Sequence, residues 1–314
     1  MNVRALRWAS IAASLVVASR ADAYCRSRTV RDVACETFDA SGCPTCGVPL
    51  FWRSRCVGFS LQQDASKQVA YDAAERAVVR GFARWSAAPC PGGTASIDAR
   101  DLGPVLCSAV AYSTRAPNQN TIVFRDGTWR PDGATANPGG LRGETIALTT
   151  TSYNTRTGEL VGADMEINTA QFSFSAAGDP APDAFDLEAV VTHEAGHFLG
   201  LAHTADRSAV MYAGGETGRT LQRELKTDDV DAICEAYPSD GSRTVDVGVA
   251  PSGQLAATAC DPEPANGLAT ECTANASPSC RFAPARHVGH VHATLTVIVL
   301  ALFRKRRNRA TMRA

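Results

Sequence analysis

His193-Glu194-Ala195-Gly196-His197-Phe198-Leu199-Gly200-Leu201-Ala202-His203 is the stretch from which the rest of the chain can be read. It spells H-E-x-x-H-x-x-G-x-x-H. A spacing of four places His193 and His197 on one face of a helix, where two imidazoles can point at a single metal ion. Glu194, beside the first histidine, can act as general base toward a water at that ion. Gly200 stands three residues after His197, where the helix has to end, and glycine accepts the left-handed backbone that ends it. The turn returns His203 as a third ligand. Three protein ligands with one position left open form the donor set of a catalytic zinc rather than a closed structural one. The chain has six histidines, and the other three lie beyond residue 286, so no Ser/His/Asp or Cys/His arrangement competes with this site.

With Met211 eight residues after His203, the stretch resembles the zinc signature of the metzincin peptidases, in which a methionine forms an apolar floor beneath the ligands. Thr204, Asp206, the run Ala209-Val210-Met211-Tyr212 and the later segment from Leu225 to Ile233 make it most similar to the matrixins. The resemblance spans residues 50–238. It implies an α+β, zincin-like fold: a twisted mixed sheet, mostly parallel, with an active-site helix, a methionine turn and a C-terminal helix. It implies a zinc-dependent endopeptidase with His193, His197 and His203 as zinc ligands, Glu194 as catalytic base, and a protein or peptide as substrate. The strand over residues 144–153 would be the exposed edge above the cleft, able to pair with an extended peptide. Calcium is implied at Asp132, Asp164 and Glu166. Asp228 or Asp229 would receive the new N-terminus after activation, although helix capping alone also accounts for them. Pro44-Thr45-Cys46-Gly47-Val48-Pro49 is similar to the matrixin cysteine switch, but Thr45 and Leu50 stand where the family has Arg and Asp. A plain disulfide at Cys46, involving Cys43 or Cys56, is the reading these residues favour over the switch.

Outward from this core, residues 1–23 read as a secretory signal: Arg4 and Arg7, an apolar run from Trp8 to Ala18, then Ala21-Asp22-Ala23. Export makes pairing the default for the eleven cysteines, and the odd count leaves one over. Cys90 and Cys107 flank a short segment that a bridge could staple, and Cys234 is expected to reach a distant partner. Residues 24–49 read as a cysteine-rich extension and residues 239–280 as a linker or small cysteine-tied stalk. Residues 281–314 form an apolar-plus-basic tail ending in Arg304-Lys305-Arg306-Arg307 and beyond. This tail resembles the C-terminal sorting signals of Gram-negative surface proteins of the myxobacterial type. The resemblance implies that the tail is removed and Cys280 is lipid-modified; a retained membrane anchor is the alternative. The expected product is a monomer anchored at the outer surface.

Residues 24–280 carry 20 Lys and Arg against 31 Asp and Glu, a net of −11, which argues against nucleic acid as a partner. The pattern predicts a first strand over 57–62 and a helix over 67–88 with a stripe of Val69, Ala73, Ala77, Val78, Phe82 and Trp85. It predicts short strands near 94–99, 108–113 and 121–125, a loop over 126–144, and a hairpin of strands 144–153 and 161–168. Asp183 or Asp186 is expected to cap the active helix, and Thr227 the final one. The competing functional reading is a non-catalytic, zinc-stabilised surface adhesion or structural module. Glu194 and the open fourth position argue against it, because folding alone needs neither.

Overall fold

The computed structural model describes residues 24–29, 37–106, 108–129, 145–176, 178–245, 253–269 and 293–301. The signal, Asp132 and Cys280 lie outside the described residues. In chain order the elements are β1 (Cys25–Arg26), β2 (Cys56–Leu61), α1 (Tyr71–Ser86), β3 (Pro89–Cys90), β4 (Gly93–Thr94), β5 (Asp98–Asp101) and β6 (Thr121–Phe124). There follow β7 (Thr145–Asn154), β8 (Leu160–Ile167), β9 (Phe174–Ser175), β10 (Phe185–Asp186), α2 (Leu187–Phe198), β11 (Leu201–Ala202) and α3 (Thr227–Ala236). The chain closes with β12 (Ser242–Val245), β13 (Gly253–Ala256) and β14 (Ala293–Ala301).

The main sheet has the order β14-β7-β8-β6-β2-β5. The pairs β2–β5, β2–β6 and β6–β8 are parallel, whereas β7–β8 and β14–β7 are antiparallel. The expected mixed sheet is therefore present. β7 and β8 are buried almost throughout, their threonines and the carboxylates of Asp164 and Glu166 included. Their turn is closed by Asn154, whose side-chain oxygen accepts from the backbone of Arg156 and Thr157.

α1 buries Ala74, Ala77, Val78, Gly81, Phe82 and Trp85, close to the predicted stripe. It starts later than expected because Asp126 accepts the Ser66 hydroxyl and the Lys67 amide, holding that segment outside the helix. α2 crosses α1 where a Cβ on Gly81 would lie 2.9 Å from Val191 Cγ1. Trp85 donates to Thr192 O at 2.7 Å, Phe82 meets Phe198 edge-on, and Phe82 stacks on Phe59 of β2. The Asp186 cap on Ala189 N is worth about 1 kcal/mol. Burial of one large aromatic such as Trp85 is worth about 3–5 kcal/mol. Packing thus sets where α2 lies, and the cap sets where it begins.

The carbonyls at the far end of α2 lack helical partners, as at any helix end. Here side chains supply them: Trp52 Nε1 donates to Phe198 O and Tyr237 Oη to Leu199 O, both at 2.8 Å. Arg243 lies 4.8 Å over the Tyr237 ring and donates to Trp52 O.

Several expectations are corrected. Residues 108–113 form no strand, because the Asn118 side chain takes both the amide and the carbonyl of Ser113. Thr227 is the first residue of α3, not its cap; the Asp229 carboxylate accepts Lys226 N instead. Cys90 pairs with Cys234, not Cys107, because the β3–β4 hairpin lies against α3. Cys43 pairs with Cys25 and Cys56 with Cys260. Where it is described, the stretch after 238 is tied by a cysteine to the domain: β12 pairs with β13, Arg243 is fully buried, and Cys260 is bonded back to β2. The 145–154 edge is not exposed, since β14 pairs along it from Ala293↔Asn154 to Ala301↔Thr145. An apolar, β-branched segment satisfies the row of open amides and carbonyls that an edge strand presents. Among the described residues no helix is long and apolar enough to cross a membrane.

Candidate metal centre

All twelve residues of α2 are buried, His193, Glu194 and His197 completely. The helix stops at Gly200, whose φ is +89°. A side chain there would be strained, and its Cβ would stand 2.7 Å from Leu50 O. Beyond the turn, β11 pairs with β1, and Ser27 donates from its amide to Gly200 O and from its hydroxyl to Leu201 O. The N-terminal extension therefore braces the loop that carries His203.

The three Nε2 atoms lie 3.1 Å (His193–His197), 3.2 Å (His193–His203) and 3.1 Å (His197–His203) apart. Tetrahedral zinc with Zn–N of about 2.0–2.1 Å sets nitrogens about 3.3 Å apart, so the triad fits that ion. The ring tautomers agree. His193 Nδ1 lies 2.6 Å from Val210 O and His197 Nδ1 2.9 Å from Leu201 O, so each Nδ1 carries the proton and donates it. Their Nε2 lone pairs then converge, an arrangement that repels itself unless a cation sits among them. Burial supports the same protonation state: it lowers the His193 pKa to about 4, lowers that of His197 well below 6.5, and lowers that of His203 to about 3. Neutral imidazoles are what a metal requires. Among the described residues, this triad is the grouping of His, Cys, Asp and Glu able to hold a metal ion.

Glu194 follows His193 in the chain, with its Oε2 2.6 Å from Thr149 Oγ1, while Oε1 has no hydrogen-bond partner. Burial raises its pKa to about 8, against the lowering effect of the Thr149 bond.

Residues 103–238 match the matrixin family. The match begins after β5, so β2 and α1 stand outside it. The chain is 46% identical over 66 residues to Metalloendoproteinase 1 of Glycine max, covering 20% of this chain and 21% of that protein. It is 48% identical over 54 residues to Metalloendoproteinase 1-MMP of Arabidopsis thaliana, covering 17% and 15%. It is 35% identical over 78 residues to the Neutrophil collagenase of Homo sapiens, covering 25% and 16%. The chain thus spans about a fifth or less of the length of these relatives. The matched segment is matrixin-like, and it carries all four predicted site residues.

Other predicted site residues behave differently. Asp164 accepts from Thr121 N, and Glu166 is fully buried in an ion pair with Arg125. Both carboxylates are committed to the protein, and neither joins a metal-binding grouping among the described residues, so the calcium expectation gains nothing from them. Cys46 is disulfide-bonded and so is no free thiolate for a zinc ion.

Three contributors were not legible in the sequence. Asp229 accepts from Val210 N at 2.8 Å and Met211 N at 3.0 Å, fixing the carbonyl that orients His193. Gln222 Nε2 donates to Gly214 O at 2.8 Å, with Val210 O and Tyr212 O within 3.4 Å, tying the loop after Met211 together. Thr149 reaches Glu194 from another element. An Asp at the start of a helix signals capping, and nothing in its local context shows that it reaches across to a loop 18 residues away.

Proposed function

We propose that the chain is an exported, zinc-dependent endopeptidase. The observation that carries this reading is the convergence of three Nε2 atoms on one point, with the His193 and His197 rings donating from Nδ1 to backbone carbonyls and the buried Glu194 next in the chain to His193. His193, His197 and His203 would hold the ion. When bound, zinc polarises a carbonyl oxygen and acidifies water toward pKa 7. Glu194 Oε1 takes the proton of the attacking water, and the same carboxyl returns it to the leaving amine. Burial raises the pKa of this carboxyl, and the positive charge of a bound ion would act in the opposite direction, toward the ionised form a base needs. Met211, whose Sδ would lie 2.2 Å from a Cβ on Gly196, supports the reading of a methionine floor. Asp228, with a buried Oδ2 that lacks a hydrogen-bond partner, is the better candidate for receiving an activated N-terminus, because Asp229 is already fully engaged.

The test is casein zymography of the purified chain. A clearing band that disappears with a zinc chelator and returns with added zinc is expected. Zinc-bearing protein that never clears casein or any peptide would leave the adhesion-module reading instead.

Substrate would lie extended along β7, where β14 now pairs antiparallel; that pairing supports an edge able to accept an extended strand. On the same reading the export signal is residues 1–23, the tail 281–314 is removed during sorting, and Cys280 takes a lipid. A chain ending at Cys280 is therefore expected to hydrolyse a peptide with kcat/KM about tenfold above the full-length chain, since about 1.4 kcal/mol of strand pairing would suppress it by that factor. Equal rates for the two chains would mean that β14 does not block the edge.

A further inference from the structure

Thr149 stands on β7, 45 residues before Glu194, yet its hydroxyl meets the carboxyl directly. Oγ1 lies 2.6 Å from Glu194 Oε2 and 3.2 Å from the Glu194 carbonyl. A threonine hydroxyl has one hydrogen to give, and the short contact to the carboxyl takes it. Both residues are completely buried, which limits the partners that could replace this bond. The two carboxyl oxygens are thereby made unequal. Oε2 is committed to β7, and Oε1 is left without a partner. A carboxyl without this bond could turn about its last side-chain torsion, which is broad and roughly two-fold.

We propose that Thr149 is a positioning residue that pins Glu194 through Oε2, so that Oε1 alone serves as base and proton carrier. This rests on the endopeptidase reading of the site. The same residue also occupies the paired edge: Thr149 stands opposite Met165 of β8 on one side and Ile298 of β14 on the other. A peptide that replaces β14 would therefore pair at the register position whose side chain holds the base. Seating of the peptide and aim of the carboxyl are coupled through one residue.

Two measurements test this. In steady-state hydrolysis, Thr149→Val, which keeps the shape and removes the hydroxyl, should lower kcat about 10- to 100-fold, with KM within about twofold and one zinc per chain retained. Thr149→Ser should recover most of that loss. Unchanged kcat in the valine variant, or failure of serine to restore it, overturns the proposal. The second measurement needs no activity. In metal-free protein, Thr149→Val should lower the denaturant midpoint when Glu194 is present and leave it nearly unchanged in a Glu194→Ala background. Equal shifts in both backgrounds overturn the proposal. If the wild-type chain hydrolyses nothing, the endopeptidase reading fails, while the unfolding cycle still decides whether Thr149 holds Glu194.

Discussion

Glu194→Gln is expected to lower kcat by about a hundred- to ten-thousand-fold while the protein keeps its fold and one zinc per chain. That range is what loss of a positioned general base costs. The substitution isolates the chemistry because glutamine has nearly the same shape. Its amide oxygen can still accept from Thr149, and it adds no charge to a site that is fully buried. The wild-type carboxyl already suffers from burial, which raises its pKa to about 8, so a neutral replacement should not destabilise the metal-free protein. None of the three Nε2 donors is altered. Zinc stoichiometry by elemental analysis and kcat on a fluorogenic peptide check the prediction together. Retained activity in a zinc-loaded Gln variant would remove Glu194 from the mechanism.

His197→Ala is expected to release the metal and to reduce hydrolysis to the background of the chelated wild type. His197 lies in the middle of the constellation. Its Nε2 is 3.1 Å from each of the other two, and its Nδ1 bond to Leu201 O ties α2 to the loop that carries His203. Removing the ring deletes one ligand and also leaves the Leu201 carbonyl without that partner, so the remaining two donors lose part of their alignment. Two imidazoles cannot supply the three-ligand set of a catalytic zinc. Zinc measured after gel filtration should fall from one per chain to near zero. A His197→Ala protein that retained stoichiometric zinc and full activity would show that the ion is held elsewhere.

Much of this centre was legible because its determinants are local. The spacing of four between His193 and His197 is a property of any α-helix, and Gly200 marks the turn by its tolerance of positive φ. The helices were legible for the same reason: the apolar stripe ending in Phe82 and Trp85 repeats at helical period, and both residues are buried. Strand 108–113 failed because periodicity cannot register a side chain such as Asn118, which satisfies the backbone in place of a neighbouring strand. The pairing of Cys90 with Cys234 was illegible because bridge partners depend on which segments the fold brings together, 144 residues apart here. The cysteines of residues 239–280 suggested a tied stalk, but not the partner: the bond from Cys260 runs to Cys56, 204 residues away.

By itself the sequence determined the candidate ligand set, the neighbouring carboxylate and the helix-then-turn that presents them, because each follows from backbone geometry within eleven residues. Only the tertiary structure decided how that set is aimed. The carbonyls of Val210 and Leu201 select the ring tautomers, Asp229 holds Val210 from another helix, Thr149 divides the roles of the two Glu194 oxygens, and β14 lies on the outer edge of β7. Each of these is a contact between distant segments, made by groups whose hydrogen-bonding capacity is common to many residues. Their partners are chosen by proximity in the folded core and leave no periodic trace in the chain.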